Sequence, residues 1–287
     1  MRIEFQEVKK NLDKYTMGPI SFDIPTGYII GLVGPNGAGK TSLLNMLMGL
    51  YQPTGGEIRL DGMAVKAAEK ELLDRMGAVL VEDMTEGFLF DGSRTLLQNG
   101  NDFGRYYSHY REESLREYLR RFDLEEKKLY RKLSKGQRLK YQLAFALAHD
   151  PKLLILDEPT GNFDPTFREE FFRILKEFMA DGEKSVILAT HITEDLDRIA
   201  DYLIYLEKGQ TIFTGDVETL RESYRIVVGE TYKIKLLAPE KIIHMEEGTY
   251  GTKALVKHTR RSLYDKELTV MVPTIEELMY FTTKRRK

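Results

Sequence analysis

The stretch Gly34-Pro35-Asn36-Gly37-Ala38-Gly39-Lys40-Thr41 constrains this 287-residue chain more than any other. It follows an apolar run, Tyr28 to Val33, and opens a helical pattern from Lys40 to Gly49, so a glycine-rich loop joins a buried strand to a helix N-terminus. Glycines let the backbone curl until successive N–H groups converge on a phosphate, and the helix end favours negative charge there. In this geometry Gly34, Asn36, Gly37, Ala38 and Gly39 form the cradle, Lys40 reaches the outer phosphate oxygens, Thr41 offers a hydroxyl to Mg2+, and Ser42 adds an α-phosphate contact.

A second constraint is Leu153-Leu154-Ile155-Leu156-Asp157-Glu158, a buried strand ending in two carboxylates. In an open parallel sheet ligands sit at the carboxyl ends of strands, so Asp157 belongs beside the phosphate loop, where it suits Mg2+. Glu158 is then the natural general base or water-positioning group for attack on a γ-phosphate. The bland alternative is an acidic pair capping the next helix.

Periodicity supports the architecture around these motifs. Strands are expected at Ile3 to Val8, Ile20 to Ile24, Tyr28 to Val33, Glu57 to Leu60 and Met76 to Val81. A helical block follows from Ser93 to His149, with Leu115, Leu119 and Phe122 on one face and Leu139, Leu143 and Leu147 on another. The strands Leu153 to Leu156 and Val186 to Ala189, separated by a helix at Pro165 to Met179, give the alternation of an α/β parallel sheet. Beyond Leu206 the reading is a hairpin around Glu207 to Gly209 and a helix near Val217 to Glu222. Strand-like segments follow at Tyr224 to Val228, Tyr232 to Leu237, Lys253 to His258 and Leu268 to Val272, then a last helix at Ile275 to Thr282. The boundary falls near Glu222: residues 1–222 form one domain, its helical part about 93–149, and residues 223–287 a small accessory or regulatory α+β appendage.

Composition narrows the function. Apolar residues make up 42% and charged residues 31%, as in folded domains. The net charge of −2 supplies no global positive field, so nucleic acid is not an expected partner. With no cysteine, disulfides, thiolate zinc sites and cysteine nucleophiles are excluded. The start carries no secretion-signal pattern, and no window offers the roughly 18 consecutive apolar residues of a membrane span. Membrane contact is therefore expected through a partner only. Residues 105–140 hold twelve Lys/Arg against six Asp/Glu, either a solvated helical face or a phosphate-facing surface.

Leu133-Ser134-Lys135-Gly136-Gln137 precedes a helix, with Ser134 as its N-cap. With the phosphate loop before it and the Asp-Glu strand end after it, the segment resembles the signature of ATP-binding cassette (ABC) ATPases, over roughly residues 1–222. The resemblance implies a P-loop NTPase fold with a mixed sheet core, an antiparallel β subdomain and a helical subdomain, binding and hydrolysing ATP with Mg2+. It also implies a head-to-tail dimer, homodimeric or heterodimeric, in which Ser134, Gly136 and Gln137 complete the partner's ATP site. Asp164, within Gly161-Asn162-Phe163-Asp164, is similar to the loop coupling the two sites, with Phe163 where leucine is usual. His191 matches the switch histidine at the γ-phosphate. Tyr15 matches the aromatic that stacks on adenine, and a core aromatic is the competing reading. Where the family has a metal-sensing glutamine this chain has Val81-Glu82-Asp83; Glu82 is the best substitute, or else a plain surface acid.

The single cassette resembles the energising subunit of a transporter, docked on a transmembrane permease at the cytoplasmic face of the membrane. Phe103, Tyr106, Tyr107 and Tyr110 either line that docking groove or pack inside the helical block. The C-terminal Val272-Pro273-Thr274-Ile275-Glu276-Glu277-Leu278-Met279 is similar to ATPases of ABC-2 type exporters of Firmicute-like bacteria, including exporters of phenol-soluble modulins. Export of peptides or drugs is the expectation. The basic end, Lys284 to Lys287, is a solubilising tail or a contact for anionic headgroups.

Overall fold

A computed structural model of the chain describes residues 1–12, 15–65, 70–80, 90–249, 251–259 and 262–284. The chain divides into two compact units, Met1–His191 with Leu206–Ile212, and Ile192–Tyr205 with Phe213–Lys287. The chain runs through β1 (Ile3–Asn11), β2 (Thr16–Ile24), β3 (Ile29–Val33), α1 (Lys40–Leu47), β4 (Gly55–Leu60), β5 (Met63–Ala64), α2 (Lys70–Asp74) and β6 (Met76–Val79). It continues through α3 (Leu96–Gly104), α4 (Glu112–Arg121), α5 (Lys135–Ala148), β7 (Leu153–Asp157), α6 (Pro165–Phe178) and β8 (Ser185–Ala189). Next come α7 (Thr193–Ile199), β9 (Tyr202–Glu207), β10 (Gln210–Asp216), α8 (Val217–Ser223), β11 (Tyr224–Gly229) and α9 (Thr231–Lys235). The described chain ends with β12 (Ile242–Gly248), β13 (Gly251–Lys257), β14 (Thr269–Met271) and α10 (Ile275–Lys284).

The runs Ile-Ile-Gly-Leu-Val, Leu-Leu-Ile-Leu and Val-Ile-Leu-Ala are apolar at every position, which suits strands covered on both faces. They form β3, β7 and β8, each buried throughout. These strands are parallel in a six-stranded sheet of order β10-β9-β3-β8-β7-β6. Because β8 lies between β3 and β7, the loop leaving β3 and the carboxylates ending β7 emerge at the same sheet edge. A separate antiparallel sheet, β2-β1-β4-β5, alternates buried and exposed residues along β1 and β2, with Phe5 and Phe22 cross-strand and stacked at 4.4 Å.

In the helical block Leu115, Leu119, Phe122, Leu139, Leu143 and Leu147 are all buried, as their spacing predicts. Three of the four clustered aromatics pack internally. Phe103 meets Phe90 edge-on at 5.5 Å, Tyr107 stacks on His149 at 4.0 Å, and Tyr110 lies against Phe145 at 6.0 Å. Tyr106 alone of the four is exposed. Much of the basic charge of 105–140 is taken up locally: Arg116 pairs with Glu112 and Glu126, Arg121 with Glu170 and Glu177, and Lys140 with Asp164.

In the second unit β12-β13-β11-β14 form an antiparallel sheet over a core of Val227, Ile234, Ala254, Val256 and Leu268. Two readings of this region change. The segment Tyr232 to Leu237 holds the helix α9 (Thr231–Lys235) and its C-terminal turn rather than a strand: alternation would bury Tyr232, Ile234 and Leu236 together, whereas of these only Ile234 is buried, and Leu237, three residues on, packs on the same core. The strand β12 carries His, Glu and Glu among its seven residues, which hides it from an apolar-run search. The second unit also starts before Glu222, since α7 packs against α10. Among the described residues no helix is long and apolar enough to cross a membrane.

Candidate functional site

At the edge where β3 and β7 end lies a cavity of about 360 Å³ lined by Tyr15, residues 36–42, Asp157 and Glu158. Two glycines are needed for its shape. Gly39 has φ of 106°, the left-handed region that glycine adopts without strain. At Gly34 a Cβ would lie 2.2 Å from the carbonyl oxygen of Leu206, so no side chain fits.

Lys40, the first residue of α1, is buried with its ammonium turned back on the loop. Its Nζ donates to the carbonyl of Gly34 at 2.8 Å and that of Pro35 at 3.5 Å, and stands 3.8 Å from Glu158 Oε1. A desolvated cation held by carbonyls and one carboxylate is placed to exchange those partners for phosphate oxygens. Thr41 Oγ1 donates to Asp157 Oδ2 at 2.9 Å. Asp157 is buried, and its Oδ1 has no hydrogen-bond partner among the described residues. Burial raises its pKa, the Thr41 hydrogen bond opposes that rise, the charge of Glu158 adds to it, and Lys40 opposes it.

An orphaned buried carboxylate oxygen beside a threonine hydroxyl is the donor chemistry of a hard divalent cation such as Mg2+. Among the described residues there is no group of three or more His, Cys, Asp or Glu able to hold a metal. Magnesium here would complete its coordination from nucleotide phosphates and water, its usual habit.

Glu158 connects the cleft to the end of β8. Its backbone sits at φ of 47°, with its N–H donating to Ala189 O at 2.8 Å. Its Oε2 lies 2.7 Å from His191 Nδ1 and accepts the His191 backbone N–H at 3.3 Å. The His191 side chain is 62% exposed, so it is held by this contact rather than by packing. Tyr15 donates its hydroxyl to Gly37 O at 3.0 Å, and a Cβ on Gly209 would lie 2.5 Å from its ring. Tyr15 thus forms a wall of the cleft and is not fully buried.

Ser134, Gly136, Gln137 and Asp164 do not line this cavity. Ser134 caps α5 in a reciprocal box: its Oγ accepts the Gln137 N–H at 3.3 Å, and Gln137 Oε1 accepts the Ser134 N–H at 3.2 Å. Gly136 passes close to the backbone of Asn162, whose oxygen would lie 2.7 Å from a Cβ. Asp164 caps α6 through the Phe167 N–H at 2.9 Å, and its Oδ2 meets Lys140 Nζ at 3.2 Å. The start of α5 and the segment 162–164 therefore form one packed corner. Glu82 lies outside the described residues.

Two residues of this region carry no motif. Lys140, one turn into α5, ties the helix to Asp164. Gln142, 1% exposed, accepts the Leu80 N–H at 2.9 Å, while its Nε2 has no partner among the described residues. A glutamine amid the apolar face Leu139, Leu143 and Leu147 is the sequence signal that marks it.

The sequence model of the ABC transporter family matches residues 17–161. A relative named Nod factor export ATP-binding protein I, from Burkholderia lata, is 35% identical over 228 residues, covering 77% of this chain and 73% of its own. A solved ATP-binding subunit of an ABC transporter superposes with a TM-score of 0.70 at 22% identity, covering 77% of this chain and 92% of its own. The ATP-binding cassette MJ0796, solved as a post-hydrolysis dimer with ADP and Pi, gives 0.65 at 23% identity, covering 75% of this chain and 98% of its own. With the phosphate loop, the carboxylate-ended strand and the capped signature helix in their expected places in the fold, this chain belongs to the ABC transporter family as an ATP-binding cassette ATPase, the ATP-binding subunit of a transporter.

Proposed function

We propose that this subunit powers an ABC-2 type exporter of peptides or drugs by hydrolysing Mg2+-bound ATP in the cleft between the phosphate loop and β7. The observation that carries the hydrolytic part is the placement of Glu158, with one carboxylate oxygen 3.8 Å from Lys40 Nζ and the other 2.7 Å from His191 Nδ1. Gly34 and residues 36–42 hold the phosphates and Tyr15 faces the base. Thr41 and Asp157 hold Mg2+, which neutralises charge on the β- and γ-phosphates when bound. Glu158 takes the proton of the attacking water, and His191 orients that carboxylate and contacts the γ-phosphate. Ser134, Gly136 and Gln137, outside the cleft of their own chain, serve the cleft of a partner cassette, homologous or identical, and Asp164 sits at the same corner.

Export is supported by relatives whose name is Nod factor export ATP-binding protein I. With no spanning helix among the described residues, the subunit meets the cytoplasmic face of the membrane through a transmembrane permease. Residues 223–287 serve as an accessory region. The test is affinity purification of tagged chain from detergent-solubilised native membranes, followed by export assays in a strain lacking it. A stoichiometric polytopic protein, and retention of amphipathic peptides by the deletion strain, is the expected result. Recovery without any membrane protein would overturn the reading.

A further inference from the structure

We propose that the C-terminal sheet carries a second binding site, for a carboxylate on a short apolar tail, at the cavity edged by Lys241, Lys257 and Ser262. Strand pairing gathers positive charge at this end of the sheet. Val256 on β13 faces Ile242 on β12, so Lys257 and Lys241, each next in the chain to one of this pair, lie at the same end of the sheet, and both line the cavity. Neighbouring lysines of the unit are neutralised: Lys233 pairs with Glu267, Lys235 with Glu247 at 2.9 Å, and Lys253 with Glu277 at 2.6 Å. Lys241 and Lys257 have no carboxylate partner among the described residues. Cations left together without an anion raise the local potential, which an anionic ligand relieves. Its effect is felt at His258, held below the ordinary histidine range by burial first and by Arg225 and Lys241 next.

The cavity beside these lysines measures about 160 Å³. Leu237 and Val256 form its apolar wall. Ser262 Oγ accepts the Thr259 N–H at 3.0 Å and lies 3.2 Å from Thr259 Oγ1, which fixes it at the edge of the cavity. Leu236 and Leu263, at the rim, are 80% and 91% exposed. Exposed leucines flanking a basic hollow are the lining an amphiphilic anion needs: head on the lysines, tail against the rim. The volume is below the roughly 300 Å³ where drug-sized pockets begin and equals about five water volumes at ~30 Å³ each. It therefore admits the head and first few carbons and leaves the rest of the tail on Leu236 and Leu263. Two sources share this chemistry, the C-terminal carboxylate of an apolar peptide and a fatty acid. The site is independent of the cargo assigned above, and its failure would leave that reading untouched.

The test is isothermal titration of the full chain with N-acetyl-leucyl-leucine, with the C-terminal amide of the same dipeptide, and with octanoate. Saturable binding of at least one carboxylate is expected, with the amide weaker than the acid by about tenfold or more. The double variant Lys241→Gln, Lys257→Gln should weaken carboxylate binding by a similar factor while ATP hydrolysis stays unchanged. The tighter of the two carboxylates identifies the source. Equal binding of acid and amide, undiminished binding by the double variant, or no binding of either carboxylate overturns the proposal.

Discussion

Replacing Glu158 by glutamine separates nucleotide binding from turnover. The substitution conserves shape: an amide oxygen can still accept from His191, whose Nδ1 lies 2.7 Å from Oε2 in the wild type. What it removes is a base and one negative charge 3.8 Å from Lys40 Nζ. Loss of a positioned base costs about 10² to 10⁴ in rate, or roughly 2.7 to 5.4 kcal/mol of barrier at 1.36 kcal/mol per decade. Binding moves the other way. The carboxylate that leaves is an anion facing the space a polyphosphate enters, and Lys40 keeps its carbonyl partners at Gly34 and Pro35. ATP affinity should therefore hold or rise while kcat collapses. Steady-state phosphate release on the purified chain, paired with equilibrium binding of a fluorescent ATP analogue, reads both quantities. A variant hydrolysing at wild-type rate, or one whose affinity falls in step with kcat, would refute the role of Glu158 as base.

Asp157→Asn should raise the thermal midpoint of nucleotide-free protein at neutral pH by roughly 2–4 °C, the shift of about 1 kcal/mol in a chain this size. The folded carboxyl binds its proton more tightly than the unfolded one, so its contribution is whole below the ordinary aspartate range and is lost as pH rises through the raised value. The gain should accordingly vanish on acidification in a scanning-fluorimetry pH series, and a pH-independent difference would contradict it. Gly136→Ala brings a Cβ to 2.7 Å from Asn162 O, a backbone atom that yields only by moving the corner; overpacking of about 1–3 kcal/mol should appear in urea unfolding, together with reduced ATPase activity. Gln142→Leu strands the Leu80 N–H and should destabilise by about 1 kcal/mol, read by denaturant midpoint; an unchanged midpoint would show that this hydrogen bond carries no net weight.

What could be read without coordinates follows from chemistry local in sequence. A phosphate loop needs a buried strand, glycines and a helix start in immediate succession, and residues 28–49 supply all three. Asp157 and Glu158 end a run whose apolarity marks it as a central strand. The packed corner is different in kind: Gly136 meets Asn162 and Lys140 meets Asp164, contacts 24 to 26 positions apart that no periodicity encodes. Gln142 shows as an oddity in an apolar stripe, yet its partner, Leu80 N–H, is a backbone group invisible in the sequence. In the second unit the alternation of Tyr232-Lys233-Ile234-Lys235-Leu236 suits a strand, and the helix wins because Ile234 and Leu237 share one core face. Short segments of this kind are settled by what they pack on.

The backbone of Glu158, at φ of 47°, has a further consequence for the chain's evolution in the laboratory. A side chain with a Cβ pays about 1–2 kcal/mol to occupy that left-handed well, whereas glycine enters it freely. Thermostability and turnover therefore pull this codon in opposite directions. A library sorted only for heat resistance should enrich glycine or asparagine at 158 and return sturdier, inert chains, while a selection for transport should purge the same clones. Sequencing both outputs would show the opposed preferences at a single position.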